Sequence, residues 1–217
     1  MWLIPRMEEF QRDNPGIDIR IDASDVQVDL ETSDVDLALR YAMPAGATQG
    51  GIRLFGEQLA VVASPWLLKS GKPLRTPADV AQFTLIEAGD AHRTHYLEYL
   101  SWRRWFDTRD LTKLQPQRWL YFNYAHQIVQ AALAGQGLAL ARMPLIADAL
   151  AAGDLVEVLP GHRIDSPLAY WLMVGPRSAQ RPEIKAFCAW LQVQAEATRQ
   201  AIGDVPDPDL NDNLDGS

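Results

Sequence analysis

His92 and His95 stand three residues apart in DAHRTHYLEYL, and Glu98 follows three further on. On a helix this spacing puts two imidazoles and a carboxylate on one face, donor types that suit a divalent metal. The pattern lacks the i, i+4 histidine pair with an intervening glutamate that a zinc protease uses. The expectation is therefore a solvated helix face and no metal. Gly135 and Gly137, in AALAGQGLALARMPL, raise a second chemistry, the cradling of a phosphate by backbone N–H groups. That chemistry needs a glycine loop that follows a strand and opens a helix. Here the order is reversed: helix formers with Ile128, Ala131 and Ala132 on one face come first, and the short apolar run Leu138 to Ala141 comes after. The glycines are expected to end a helix in the left-handed conformation. Asp34 and Asp36 share a strand face and are read as decorating its start, not as sharing a catalytic proton. The single cysteine, Cys188, excludes an internal disulfide and lies in IKAFCAWL, where a lone thiol packs as a small hydrophobe. The sequence has no G-x-S-x-G elbow, Walker lysine or cysteine–histidine cluster. No catalytic residue and no cofactor are expected, so the reading is of a protein that is not an enzyme.

One stretch keeps a binding chemistry open. In YFNYAHQ a strand gives way to a helix near Tyr124, and Asn123 is placed to cap it. The free N–H groups of that first turn face the space beyond the strand's carboxyl end, where α/β sheets bind ligands. A small carboxylate there would be held by the helix dipole and the unpaired donors. Capping alone is the other reading.

These residues need elements to position them. Leu3, Met7 and Phe10 recur at helical spacing, which predicts an amphipathic helix from about Trp2 to Arg12, stopped by DNPG. IDIRID alternates Ile17, Ile19 and Ile21 with polar residues, and VDLALRY places Val35, Leu37, Leu39 and Tyr41 on one face; both predict strands. LAVVASP, TLIEA, WLYFN, LVEVL and LAYWLMV predict further strands. PADVAQF predicts a short helix, 94–107 a helix carrying Trp102 and Trp105, Pro144 the start of another, and RPEIKAFCAWLQVQAEATRQ a long one with Pro182 in its first turn. Helices alternating with strands argue for parallel pairing in an α/β fold. Trp102 and Trp105, at i and i+3, are read as core or interface, not as a ligand platform.

At 217 residues the chain suffices for one large domain or two lobes. Its formal net charge of −8 is concentrated at one end: five acids, Asp204 to Asp215, fall in GDVPDPDLNDNLDGS, which has no Lys or Arg. The other 23 acids face 20 bases, so the body is near neutral and a poor candidate for holding nucleic acid unaided. The Pro-, Asp- and Asn-rich end is expected to be disordered. No apolar run approaches the roughly 18 residues that span a bilayer. With no basic leader and cleavage site at the start, the expectation is a cytoplasmic chain.

Taken in order, WLIPRMEEFQRDNPGIDIRI, DVDLALRY, LAVVASPWLL, PLRTPADV, IVQAALAGQGLALAR, AAGDLVEVLP, YWLMVGP and IKAFCAWL resemble the effector-binding region of LysR-type transcriptional regulators, in particular the glycine-cleavage-activator-like branch. The resemblance runs from Trp2 to about Leu191. It implies a two-lobed fold like the type 2 periplasmic binding proteins, with two crossover strands and an effector cleft between lobes. Lobe one would comprise 1–64 and 166–202, lobe two 65–165, and 203–217 a disordered acidic tail. Within that frame Ser24, Arg40 and Tyr41 would face the cleft from lobe one, and Ser64, Asn123 and Tyr124 from the hinge and lobe two. Arg40 suits an anionic effector because its fork gives two parallel hydrogen bonds; a surface or hinge salt bridge is the alternative. The implied effector is an amino acid or organic acid. A homodimer would relay its binding to DNA through a helix-turn-helix domain that this sequence does not contain. A transporter's solute-binding protein and a dimerising modulator of complete regulators are the other readings. The family's first strand, which lies between the counterparts of IDIRID and VDLALRY, is also not in the sequence. Its absence is expected to leave rows of unpaired backbone groups, to force those strands together, or to invite a strand from another chain.

Overall fold

The computed structural model of the chain describes residues 1–24, 26–44, 50–69, 72–89 and 98–204. The chain divides into two compact units. One is formed by Met1–Gly56 with Leu168–Ser217, the other by the continuous stretch Glu57–Pro167. Two long strands, β2 (Ile52–Ala63) and β7 (Ile164–Val174), pass from one unit into the other and are neighbours in the sheet order.

In the first unit, a 3-10 turn over Ile4–Arg6, with Pro5 at its start, leads into α1 (Met7–Asp13). The predicted single helix is thus a tighter turn followed by two turns of α-helix. Asn14 ends it by donating both its backbone and side-chain N–H groups to the Phe10 carbonyl, at 2.9 Å each. Phe10 is buried against Phe187 and Trp190, with ring centroids 5.0 and 5.3 Å away. Those two residues belong to α6 (Pro182–Ile202), whose Ile184, Phe187, Leu191, Ala195 and Thr198 recur at helical spacing on the buried face. The Trp2 indole is buried too and donates to Thr198 Oγ1 at 2.8 Å.

β1 (Leu37–Ala42) pairs antiparallel with β7, Tyr41 opposite Tyr170, and lies at the end of the sheet order. The strand expected over IDIRID does not form. Among the described residues 17–24 carry no strand, although Ile17 and Ile19 remain half-buried between exposed Asp18 and Arg20. A strand is defined by its ladder, and alternation without a neighbour gives only extended chain. β1 and this segment do not pair with each other.

The second unit is built around β3 (Thr84–Ala88), parallel to β4 (Arg118–Phe122) on one side and to β5 (Leu138–Arg142) on the other. β5 pairs antiparallel with β2, and β6, only Val156–Glu157 of the predicted LVEVL strand, pairs with the end of β2. PADVAQF forms a 3-10 helix, Pro77–Gln82. The core gathers Leu59, Val61, Val80, Phe83, Leu85, Leu138 and Leu140 with Trp102, Trp105 and Phe106 of α3 (Trp102–Asp107). α2 (Pro65–Leu68) follows β2 directly, α4 spans Ala125–Leu133 and α5 Met143–Ala152. Glu57 is buried and accepts a hydrogen bond from Arg142 Nε at 2.5 Å.

Gly135 and Gly137 make the turn between α4 and β5. Gly135 has φ of 71°, and the N–H groups of Gly135 and Gln136 return to the carbonyls of Ala132 and Ala131. A Cβ on Gly135 would lie 2.5 Å from the Trp66 ring, and one on Gly137 2.4 Å from the Thr84 carbonyl oxygen. These glycines close a helix and admit a neighbouring strand.

At the other end of the chain, Gly203 and Asp204 are not part of a loose tail. Gly203 caps α6 in the left-handed conformation, and Asp204 is held by Arg53 and Gly56. Residues 205–217 lie outside the described residues.

Candidate functional site

In the second unit the parallel strands β3 and β4 end side by side. Gly89 donates its N–H to the Phe122 carbonyl at 2.6 Å, and a Cβ on Gly89 would sit 3.4 Å from Asn123 Oδ1. Asn123 is exposed at this carboxyl edge but does not cap α4. The cap is Tyr124, whose carbonyl accepts from Gln127 and Ile128 at 3.0 and 3.3 Å. Gln127 Oε1 in turn accepts the Tyr124 N–H at 3.3 Å. The reciprocal Gln127 contact fixes the helix start one residue later than an asparagine cap would. The Tyr124 ring stacks on His126, centroids 5.5 Å apart.

Ser64 is buried and caps α2, its Oγ accepting from Leu67 N at 3.3 Å. The same Oγ lies 3.2 Å from where a Gly135 Cβ would be, so Ser64 and the glycine turn are neighbours.

In the first unit Arg40 and Tyr41 are adjacent on β1 and so point to opposite faces. Arg40 NH2 donates to the Val28 carbonyl at 2.5 Å, and the Tyr41 ring rests on Tyr170, centroids 5.0 Å apart. Ser24 is exposed and accepts the Val26 N–H at 3.1 Å. Within the first unit Arg40 and Tyr41 are thus neighbours along β1 on opposite faces; within the second, Ser64 lies beside the glycine turn and Asn123 precedes the Tyr124 cap.

A residue that sequence reasoning passed over, Glu87, sits near the end of β3 opposite Tyr121 of β4. Its two carboxylate oxygens accept the backbone N–H groups of Ala88 and Trp102, each at 3.0 Å. Burial pushes its pKa up to about 7, and the two N–H donors only partly offset that rise. The signal was present as an acid inside the apolar run TLIEA.

The remaining candidates are structural. Trp102 and Trp105 are fully buried, their indoles donating to the carbonyls of Ile86 and His162 at 2.9 Å. Asp36 accepts from Ser178 Oγ at 2.6 Å and Arg181 NH1 at 2.8 Å, tying the start of β1 to the turn before α6. Cys188 is half-buried, and burial raises its thiol pKa, the opposite of what a nucleophile needs. His92 and His95 lie outside the described residues, among which no group of three metal-ligating side chains occurs. No helix of the described chain is long and apolar enough to cross a membrane.

The described chain is thus two units joined by two long strands, with a parallel sheet edge in one and an arginine-bearing strand in the other. The model of the LysR substrate binding domain matches residues 1–196, and the chain belongs to that family. The glycine cleavage system transcriptional activator of Escherichia coli (strain K12) is 34% identical over 199 residues, covering 92% of this chain and 62% of the activator. The transcriptional activator AmpR of Pseudomonas aeruginosa is 29% identical over 88% of this chain and 60% of its own length. The chain thus spans less than two thirds of the regulators it matches. Among solved structures, the effector domain of AmpR of Pseudomonas aeruginosa aligns with a TM-score of 0.65 at 28% identity, over 93% of this chain and 92% of that one. The regulatory domain of CrgA from Neisseria meningitidis shares the fold, with a TM-score of 0.65 at 19% identity, over 89% of this chain and 91% of that one. The fold is the two-lobed, periplasmic-binding-protein-like α/β fold of these effector domains. Both of these relatives are transcriptional activators.

Proposed function

We propose that this chain senses a small polar metabolite, an amino acid or organic acid, on behalf of a cytoplasmic LysR-type transcription regulator. The observation that carries the reading is the family match over residues 1–196 together with 34% identity to a glycine cleavage activator. In this reading the two units are the two lobes and the effector lies between them. Ser24, Arg40 and Tyr41 contact it from the first lobe, and Ser64, Asn123 and Tyr124 from the second. Arg40 supplies the counter-charge to a carboxylate, and the exposed Asn123 and Tyr124 present polar groups at a parallel sheet edge. A ligand that favours one arrangement of the lobes shifts the population toward it. A homodimer relays that shift to DNA-binding parts of the regulator outside the matched stretch.

Thermal unfolding of the chain against a panel of amino acids and small organic acids tests this. A ligand that binds only the native state raises the transition by mass action. The expected result is one ligand class that does so, with the effect abolished by Arg40→Gln. A cooperative transition that no member of the panel moves would sink the reading.

A further inference from the structure

Arg104, Thr108, Arg109, His162, Arg163 and Asp165 line an open cavity of about 410 Å³ that lies wholly within the Glu57–Pro167 unit. Its charges are unevenly matched. Arg163 is neutralised by Glu157 through two hydrogen bonds of 2.8 and 2.9 Å, and Asp165 accepts from Gln58 at 2.7 Å. Arg109 donates only to neutral oxygens: NH1 to the Trp105 carbonyl and Thr108 Oγ1 at 2.9 and 2.6 Å, NH2 to the carbonyls of His162 and Arg163. Its guanidinium lies 4.1 Å over the Trp105 ring, burial lowers its pKa, and its Nε is buried without a partner. Arg104 donates to the Tyr99 carbonyl at 3.3 Å and faces the Tyr99 ring at 5.2 Å. Among the described residues no carboxylate lies within ion-pair distance of Arg104 or Arg109.

With Arg163 paired to Glu157, the described lining leaves Arg104 and Arg109 facing one carboxylate, Asp165, whose hydrogen bond is to the neutral Gln58; this excess of positive charge raises the affinity of the cavity for anions. The two have different parts. Arg109 is immobilised by four bonds and acts as a fixed charge. Arg104 spends one donor on Tyr99 and keeps the rest of its five-donor fork for a planar or tetrahedral oxyanion. The Thr108 hydroxyl donates to the Trp105 carbonyl at 3.0 Å and accepts from Arg109, so it helps to hold Arg109 in place, and His162 is a further polar residue of the lining.

We propose that this cavity binds a small, multiply charged oxyanion, of the phosphate or polycarboxylate type, at a site separate from the effector site proposed above. Arg104 is its direct ligand and Arg109 its fixed counter-charge.

The test is calorimetric titration of the full chain with inorganic phosphate and, separately, citrate, each against chloride at matched ionic strength. The expected result is saturable one-to-one binding of at least one probe, weakened tenfold or more by Arg104→Gln. Arg103→Gln, an exposed neighbour outside the lining, and Arg40→Gln leave the affinity unchanged. Phosphate binding without citrate names a phosphate-type ligand, and the converse a carboxylate; either supports the cavity. No saturable binding up to about 10 mM, a threshold set by weak millimolar affinity, overturns the proposal. Equal weakening by Arg103→Gln and Arg104→Gln overturns it too, as does loss of binding in Arg40→Gln alone. Arg104→Gln gives up one side-chain hydrogen bond, to the Tyr99 carbonyl, and the contact with the Tyr99 ring, so the melting temperature in chloride is expected to stay near the wild-type value.

Discussion

Asp204 grips Arg53 with both carboxylate oxygens, at 2.9 and 3.0 Å, and takes the Gly56 N–H at 2.7 Å as well. The contact fastens the end of α6 to the start of β2. Burial opposes ionisation of Asp204, but the hydrogen bonds from Arg53 and Gly56, with the charges of Arg53 and Arg199, outweigh it and hold its pKa below the ordinary aspartate value. Asp204→Asn is expected to lower stability by about 1–2 kcal/mol in urea unfolding at pH 7, after allowing for solvent screening of a partly exposed pair. An acid with a depressed native pKa stabilises above its unfolded pKa and loses that contribution as pH falls through the native value. The difference between the wild type and Asp204→Asn is therefore expected to shrink below about pH 4, set by the ordinary value of 3.8. A difference that persists undiminished at pH 2 would argue against the ion pair.

Glu87 has the opposite sign. Its native pKa of about 7 lies above the ordinary 4.5, so the folded chain holds a proton that the unfolded chain has released. Stability then falls as pH rises between those two values and levels off above, by up to about 3 kcal/mol. Denaturant midpoints measured from pH 4.5 to 8 are expected to show this slope, and Glu87→Gln to flatten it. An unchanged slope in the variant would show that another group is responsible.

Gly137→Ala is expected to destabilise by about 1–3 kcal/mol, because the new methyl group meets the backbone carbonyl of Thr84, which no rotamer can move. Gly153→Ala is the control. It has φ of 76° but open space around it, so it carries only the left-handed penalty, about 1 kcal/mol. Thermal melts of the two variants are expected to rank in that order.

Thr198→Val replaces a buried hydroxyl with a methyl group of the same shape and strands the Trp2 indole N–H, which loses its acceptor at 2.8 Å. An unsatisfied buried donor costs about 1–3 kcal/mol. Trp2→Phe together with Thr198→Val removes both partners, and its cost is expected to be smaller than the sum of the two single changes. A strictly additive double mutant would show that the bond contributes nothing.

Much of this architecture was legible from periodicity. Ile184, Phe187, Leu191 and Ala195 mark a helix by their 3.6-residue recurrence, and LAVVA, TLIEA and LALA mark strands by being short, apolar and bounded by turn residues. The glycine turn was legible because backbone order distinguishes a helix end from a helix start. What escaped depends on residues distant in sequence. Ile17 to Ile21 alternate correctly, yet the strand needs a ladder partner that alternation cannot reveal. Asn123 has the right side chain for a cap, but Gln127 settles the start at Tyr124. Glu87 takes its unusual acidity from its cover and its Trp102 donor, and the arginine cavity joins residues 104 to 109 with 162 to 165.

The partition of the chain carries a consequence for its birth on the ribosome. The Glu57–Pro167 unit is one uninterrupted stretch, whereas the other unit needs both Met1–Gly56 and Leu168 onward. Trp2 cannot meet Thr198, nor Phe10 meet Phe187, until α6 has left the exit tunnel. Trp2 and Phe10 therefore wait for their partners until the whole Glu57–Pro167 stretch has been made, and in the interval these aromatic side chains stay open to chaperones.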